Sequence, residues 1–211
     1  MVTIMKRVIC QFLLVSLLLC FNSAAADKSP TAALKPVLDE LTTILVDTSL
    51  KGDEHRTERR RKIMEVIEHG FDFKEMSKRI LGKTWRRIDD SQREYFTRLI
   101  KKLLENVYIG KLESYSGQEI EFKAEIVKGK RAQVSTVIEN KGIKIPVHYI
   151  MKQVNNRWMV YDINIEGVSL VRNYQQQFKP ILRKEKFKGL IKVLEEKNNS
   201  FLKKPGDKQN S

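Results

Sequence analysis

Cysteine is almost missing from this chain, with two in 211 residues, Cys10 and Cys20. Both lie in the one long apolar run, Val8 to Phe21. The rest of the chain can therefore form no disulfide, no thiolate nucleophile and no cysteine-ligated metal site. Histidine is nearly as scarce: His55, His69 and His148 are the three present. None stands in a two-histidine metal spacing such as His-Glu-x-x-His. Glu65 and His69 are four apart on an expected helix, a spacing that could share a metal but more commonly marks a solvated contact. The sequence also lacks a Gly-x-Ser-x-Gly elbow and a phosphate-cradling glycine loop. Asp89-Asp90 resembles a paired carboxylate site, yet at a helix start it reads as a cap with a favourable dipole interaction. Asp162 stands in an otherwise apolar strand and is expected to accept hydrogen bonds from a loop amide.

What is present begins at the N-terminus. Lys6 and Arg7 precede the 14-residue apolar run, and Ser23-Ala24-Ala25-Ala26 follows it. Residues 1–26 read as a cleaved secretory signal peptide. An uncleaved anchor would need a longer run, of about 20 residues. A lipoprotein would have to be lipidated at Cys20, next to the bulky Leu19. Removing the segment leaves 185 of the 211 residues, enough for one domain over 27–202. Residues 203–211 are polar and expected to be a disordered tail. The remaining chain carries 38 Lys+Arg against 26 acids, a net charge of +12. In a cytosolic chain that excess would suggest nucleic acid. Export argues against it, and the aromatic residues sit in buried-face patterns rather than among the basic ones. Anionic membrane surfaces, lipid headgroups and acidic docking proteins are the remaining partners. The run Arg59-Arg60-Arg61-Lys62 fits a docking site and a solvated helix face equally well.

Periodicity orders the rest. Helices are expected over Ala32 to Leu50, from a cap at Asp53 to about His69 with Gly70 at its C-terminal glycine position, over Phe73 to Leu81, and from Asp89 or Ser91 to about Tyr115. Four strands follow: Glu119 to Val127, Ala132 to Asn140, Ile143 to Gln153 and Arg157 to Ile165, separated by hairpin-length loops. Ile120, Phe122, Ala124 and Ile126 alternate along the first. A helix begins after Glu166-Gly167, with Val168, Leu170, Val171, Tyr174 and Phe178 on its buried side. The expected class is α+β: an antiparallel four-stranded twisted sheet packed against several helices.

The wording of several blocks is more specific than their periodicity. Trp158-x-Val160-Tyr161-Asp162-x-x-Ile165-Glu166-Gly167-Val168-Ser169-Leu170-Val171-x-Asn173-Tyr174-x-x-x-Phe178 resembles the C-terminal signature of the MlaC family. Phe71-Asp72-Phe73, Met76-Ser77, Leu81-Gly82-Lys83-Thr84-Trp85, Gln92 and Phe96 match an earlier block in order and spacing. Tyr108, Leu112, Tyr115, Tyr149 and Gly189-Leu190-Ile191 extend the likeness over roughly Pro36 to Leu194. Two places depart from it. Asp89-Asp90-Ser91-Gln92 replaces a common Thr-Pro-Glu-Gln but keeps a capping oxygen three residues before a Gln. Ile150 stands where many relatives have a basic residue.

The resemblance implies a periplasmic, non-enzymatic carrier with an apolar pocket between sheet and helices that takes the acyl chains of a phospholipid. It implies no cofactor, with the phospholipid bound as cargo. The implied partners are an inner-membrane ABC transporter with a periplasmic lipid-binding subunit and an outer-membrane lipoprotein complex, the carrier itself working as a monomer without nucleic acid. Face assignment then offers candidate lipid-contacting residues. From the helices these are Met76, Leu81, Trp85, Phe96, Leu103, Tyr108, Leu170, Tyr174 and Phe178. From the strands and their following turn they are Phe122, Val134, Ile138, Val147, Tyr149, Met151, Tyr161, Ile163 and Val168. The residues alone allow two other readings: an adaptor with a filled core, or an enzyme using Asp162 and Tyr149.

Overall fold

Ser29 opens the first helix, its Oγ accepting the amide of Ala32 at 3.1 Å, with Pro30 at a position that needs no N–H. Helix α1 (Pro30–Val46) buries Leu34, Leu38, Leu41 and Leu45, a stripe at helical spacing. The computed structural model describes residues 29–202. The signal peptide and the polar tail expected from the sequence lie outside the described residues.

Helix α2 (Arg56–Gly70) starts three residues after Asp53, and His55 before it makes no capping side-chain bond. Gly70 is its last helical residue, and Phe71 leaves in an extended conformation. A Cβ at Gly70 would come within 2.8 Å of Val37 Cγ1. The glycine is there for the close approach of α1 and α2 rather than for a left-handed turn. Helix α3 (Phe73–Leu81) is capped by Asp72, which accepts the Glu75 amide at 2.8 Å. A short 3-10 turn (Gly82–Arg86) leads on to α4 (Asp90–Glu113). Asp89 and Gln92 form a reciprocal capping box at its start. With 24 residues, α4 is about 36 Å long and crosses the whole fold.

The sheet comprises β1 (Ile120–Lys128), β2 (Arg131–Asn140), β3 (Ile143–Val154), β4 (Arg157–Ile165) and β5 (Val168–Ser169), in that order and antiparallel throughout. Four strands were expected from the sequence. The fifth arises because Glu166 and Gly167 both adopt positive φ (51° and 87°) and fold Val168 back against Ile165. That is the twist a two-residue hairpin requires. The pairs Lys141-Gly142 and Asn155-Asn156 turn the chain the same way.

Two bulges change which residues share a face. The first lies between Phe122 and Ala124. Ile120 and Phe122 pack into the sheet core, but Ile126 beyond the bulge is exposed. The strict alternation of β1 is thus broken by one extra residue, which inverts the parity of everything after it. The second bulge puts Tyr161 between Val160, which pairs with Met151, and Asp162, which pairs with Ile150.

Helices α5 (Leu170–Lys184) and α6 (Lys186–Leu202) close the chain. Three hydrophobic clusters result. One is helical, formed by α3 to α6 around Phe96, Ile100, Leu103, Phe178, Leu190 and Leu194. One joins the sheet to α1 through Leu34, Leu38, Val134, Tyr149, Met151 and Val160. The third fastens α1 to α2 and the end of α4 through Leu41, Leu45, Ile63, Val66 and Ile109.

Candidate binding cavity

Where the three clusters meet, the side chains leave a cavity of about 420 Å³. Helix α1 contributes Val37, Leu38 and Leu41, and α2 contributes Met64 and Ile67. Phe71, Phe73 and Met76 come from the α2–α3 corner, and Leu104, Tyr108, Ile109 and Leu112 from α4. The sheet supplies Ile145, Tyr149, Ile163 and Ile165, and Leu170 closes the side toward α5. Charge is confined to Glu105, Lys111 and Glu166. Lys111 and Glu166 are exposed, so they mark where the wall reaches solvent.

The lining offers an apolar ligand a neutral surface. Burial pushes the Tyr149 phenol up to about 12, only partly offset by its hydrogen bond with Thr136. Burial also raises the Tyr108 phenol, which is hydrogen-bonded to Tyr174. Both hydroxyls therefore stay protonated at physiological pH. Space of this size holds about 14 groups as large as a water molecule or a methylene, which is one acyl chain.

Of the residues expected at the site, Met76, Tyr108, Tyr149, Ile163 and Leu170 line the cavity. Leu81, Trp85, Phe96, Leu103, Tyr174 and Phe178 belong to the helical cluster behind it. Val134, Val147 and Met151 are packed under α1, with Phe122 and Ile138 partly buried beside them. Tyr161 lies beneath the Arg79 guanidinium, 4.0 Å from its ring centre. Val168 is in β5 and exposed, not in a buried helical face. The α1 and α2 residues of the wall were not anticipated. Their helical stripes were visible in the sequence, but nothing in a stripe says which other element it will face.

The polar residues singled out from sequence have structural partners. Asp162 Oδ1 accepts the Val171 amide at 3.0 Å and Oδ2 the Ser169 hydroxyl at 2.6 Å. Ser169 Oγ in turn accepts the Arg172 amide at 3.0 Å, so one acid organises the start of α5. Ile150 pairs with Asp162 and Tyr149 with Ile163, which sets Asp162 and Tyr149 on opposite faces of the sheet. No acid–base pair converges there. In the basic run, Arg59 and Arg60 both reach Glu113, at 3.0 and 3.4 Å, while Arg61 pairs with Glu65 and Lys62 with Glu58. Arg59 also donates to the Leu50 and Gly52 carbonyls. The first two arginines clamp α2 to the end of α4.

An ion cluster not foreseen from sequence surrounds the buried Glu75, one residue before the cavity-lining Met76. Glu75 meets Arg79 at 2.9 Å and Lys152 at 3.2 Å. Burial alone would raise its carboxyl; the Lys152 hydrogen bond and the Lys152, Arg79 and Lys78 charges outweigh this and hold it below its ordinary value of 4.5. A depressed native value stabilises the fold above the unfolded value, and the contribution is lost as pH falls through the native one. Glu75→Gln should cost about 2–3 kcal/mol at pH 7, or about 4–12 °C in Tm. The gap to the parent should narrow below about pH 4.5. Thermal melts from pH 3 to 7 check this, and a constant gap down to pH 3 would rule the linkage out.

The fold and the chamber define an α+β class in which an antiparallel sheet and a roof of helices enclose an apolar cavity. Within that class the chain belongs to the MlaC family, whose sequence model matches residues 35–196. It is 24% identical over 185 residues to the intermembrane phospholipid transport system binding protein MlaC of Haemophilus influenzae, covering 83% of this chain and 85% of that protein. It is also similar to a solved phospholipid-binding protein from Ralstonia solanacearum, determined in complex with a phospholipid. That match has a TM-score of 0.73 and 26% identity, and covers 82% of this chain and 99% of the other.

Proposed function

We propose that this protein is a periplasmic phospholipid carrier. Residues 27–202 act as one lipid-binding domain after a signal peptide over residues 1–26 is removed. The carrier exchanges lipid with an outer-membrane lipoprotein complex and with an inner-membrane ABC transporter that has a periplasmic lipid-binding subunit, and so maintains outer-membrane lipid asymmetry. It works as a monomer, without catalysis and without a cofactor. The observation that carries this reading is the cavity, lined mostly by aliphatic and aromatic side chains, with Glu105, Lys111 and Glu166 as its charged members.

Exposing a 16-carbon chain to water costs on the order of 13 kcal/mol, at about 0.8 per methylene. Transfer from bilayer to cavity exchanges one apolar surrounding for another and avoids most of that cost. The cavity as it stands takes one chain; a two-tailed lipid requires its walls to part. The headgroup remains at the rim near Lys111 and Glu166, where it keeps its water. Tails are thus recognised in preference to headgroups, and direction of transport comes from the docking partners.

Native mass spectrometry of protein purified without detergent tests the reading. The expected result is an added mass equal to a phospholipid, released by solvent. An apo mass that stays unchanged after incubation with lipid vesicles would instead favour an adaptor that carries nothing.

A further inference from the structure

The rim of the cavity carries exposed apolar side chains that the carrier function leaves unused. Ile143 is 65% exposed and Val168 55%. Val168 pairs across the strands with Ile165, and Ile143 is two residues from Ile145 on β3. Directly paired residues share a face, as do alternate residues along a strand. Both side chains therefore project on the same side of the sheet as Ile145 and Ile165, which line the cavity. Lys141 lies in the hairpin turn before Ile143, and Lys111 lies on the opposite wall. Lys144, next to Ile143 in β3, projects from the other face, where it pairs with Glu139. Among the described residues, neither Lys141 nor Lys111 is held in an ion pair, and Lys111 lies over the Tyr108 ring, 5.7 Å from its centre.

We infer that this rim docks on the surface of an anionic lipid bilayer, with Ile143 and Val168 entering the interface and Lys141 and Lys111 facing lipid phosphates. The inference rests on the carrier reading and names a partner for it. Composition favours a bilayer over a protein. The cores of protein interfaces are depleted in lysine and enriched in aromatics, whereas this rim exposes aliphatic residues and lysines, with the acid Glu166 among them. Lysines over aliphatic side chains are what an interfacial, membrane-surface contact uses. The net charge of the chain has the matching sign. A mouth pressed on a leaflet would also let an acyl chain slide into the cavity without crossing water.

The test is sedimentation of the exported chain, from Asp27 on, with vesicles of phosphatidylcholine alone and with phosphatidylglycerol added. A separate measurement loads lipid from detergent micelles. Tighter binding to the anionic vesicles is expected. Lys141→Gln should weaken that binding by about fivefold. Ile143→Ser with Val168→Ser should weaken binding to both compositions by about tenfold. Loading from micelles should be unchanged in both variants. Should the parent protein ignore both kinds of vesicle yet load from micelles, the bilayer inference is overturned, the rim is left to a protein partner, and the carrier reading stands. If micelle loading itself fails, the carrier reading falls and this inference falls with it.

Discussion

Leu112→Trp is expected to yield a folded protein that has lost most of its lipid. Leu112 lines the cavity from α4, next to Lys111, and is only partly buried. A larger ring there can fill cavity space without breaking the helix. Excluding about two methylenes, at about 0.8 kcal/mol each, weakens binding by about 1.6 kcal/mol, or about fifteenfold. Overpacking should cost about 1–3 kcal/mol of stability. Lipid extracted per mole of protein, measured beside a thermal melt, separates the two effects. An undiminished lipid content would show that cargo does not occupy this space.

Phe96→Ala should do the reverse. Phe96 has no exposed surface and lies in the helical cluster, edge-on to Phe178 at 6.5 Å and tilted against Phe187 at 6.2 Å. Its truncation should cost about 3–5 kcal/mol. For a chain of this length that lowers Tm by about 6–20 °C. Below the transition the folded protein should still carry its full lipid load, because Phe96 does not touch the cavity. A variant with a normal melt and an empty cavity would refute this division between core and container. Met76, Leu104 and Leu170 belong to both the cluster and the wall. Substitutions at those three should move stability and cargo together.

The order of elements was legible because periodicity and caps are local properties. Asp89 and Gln92 announced their capping box, and the hairpin loops announced the meander. The bulges were less legible. Trp158, Val160, Tyr161, Ile163 and Ile165 cannot all lie on one face of a regular strand, and the extra residue at Tyr161 resolves the conflict. That conflict was visible in the sequence, although its solution was not. The cavity was the least legible feature. Phe96 and Tyr108 read alike as apolar residues of one helix, yet one is packed solid and the other faces empty space. The difference depends on how far α1 and α2 stand from the sheet, a distance between elements that no stripe records. Glu75 was missed for a related reason: Lys152, its partner, is 77 residues away.

The first bulge has an effect at the far edge of the sheet. β1 pairs with β2 on one side and with no other strand in the sheet order. Such an edge is a template on which another chain can add a strand. Here the kink at Lys123 interrupts the ladder midway, and Glu121, Lys123, Glu125 and Lys128 place charges of both signs along it. The Thr31 amide, at the start of α1, reaches across to Glu125 at 2.7 Å and lays a helix end against the strand. A protein with an unprotected edge of this kind risks joining copies edge to edge into fibres. The irregularity that spoils the alternation of β1 is also what makes that edge a poor seed for polymerisation.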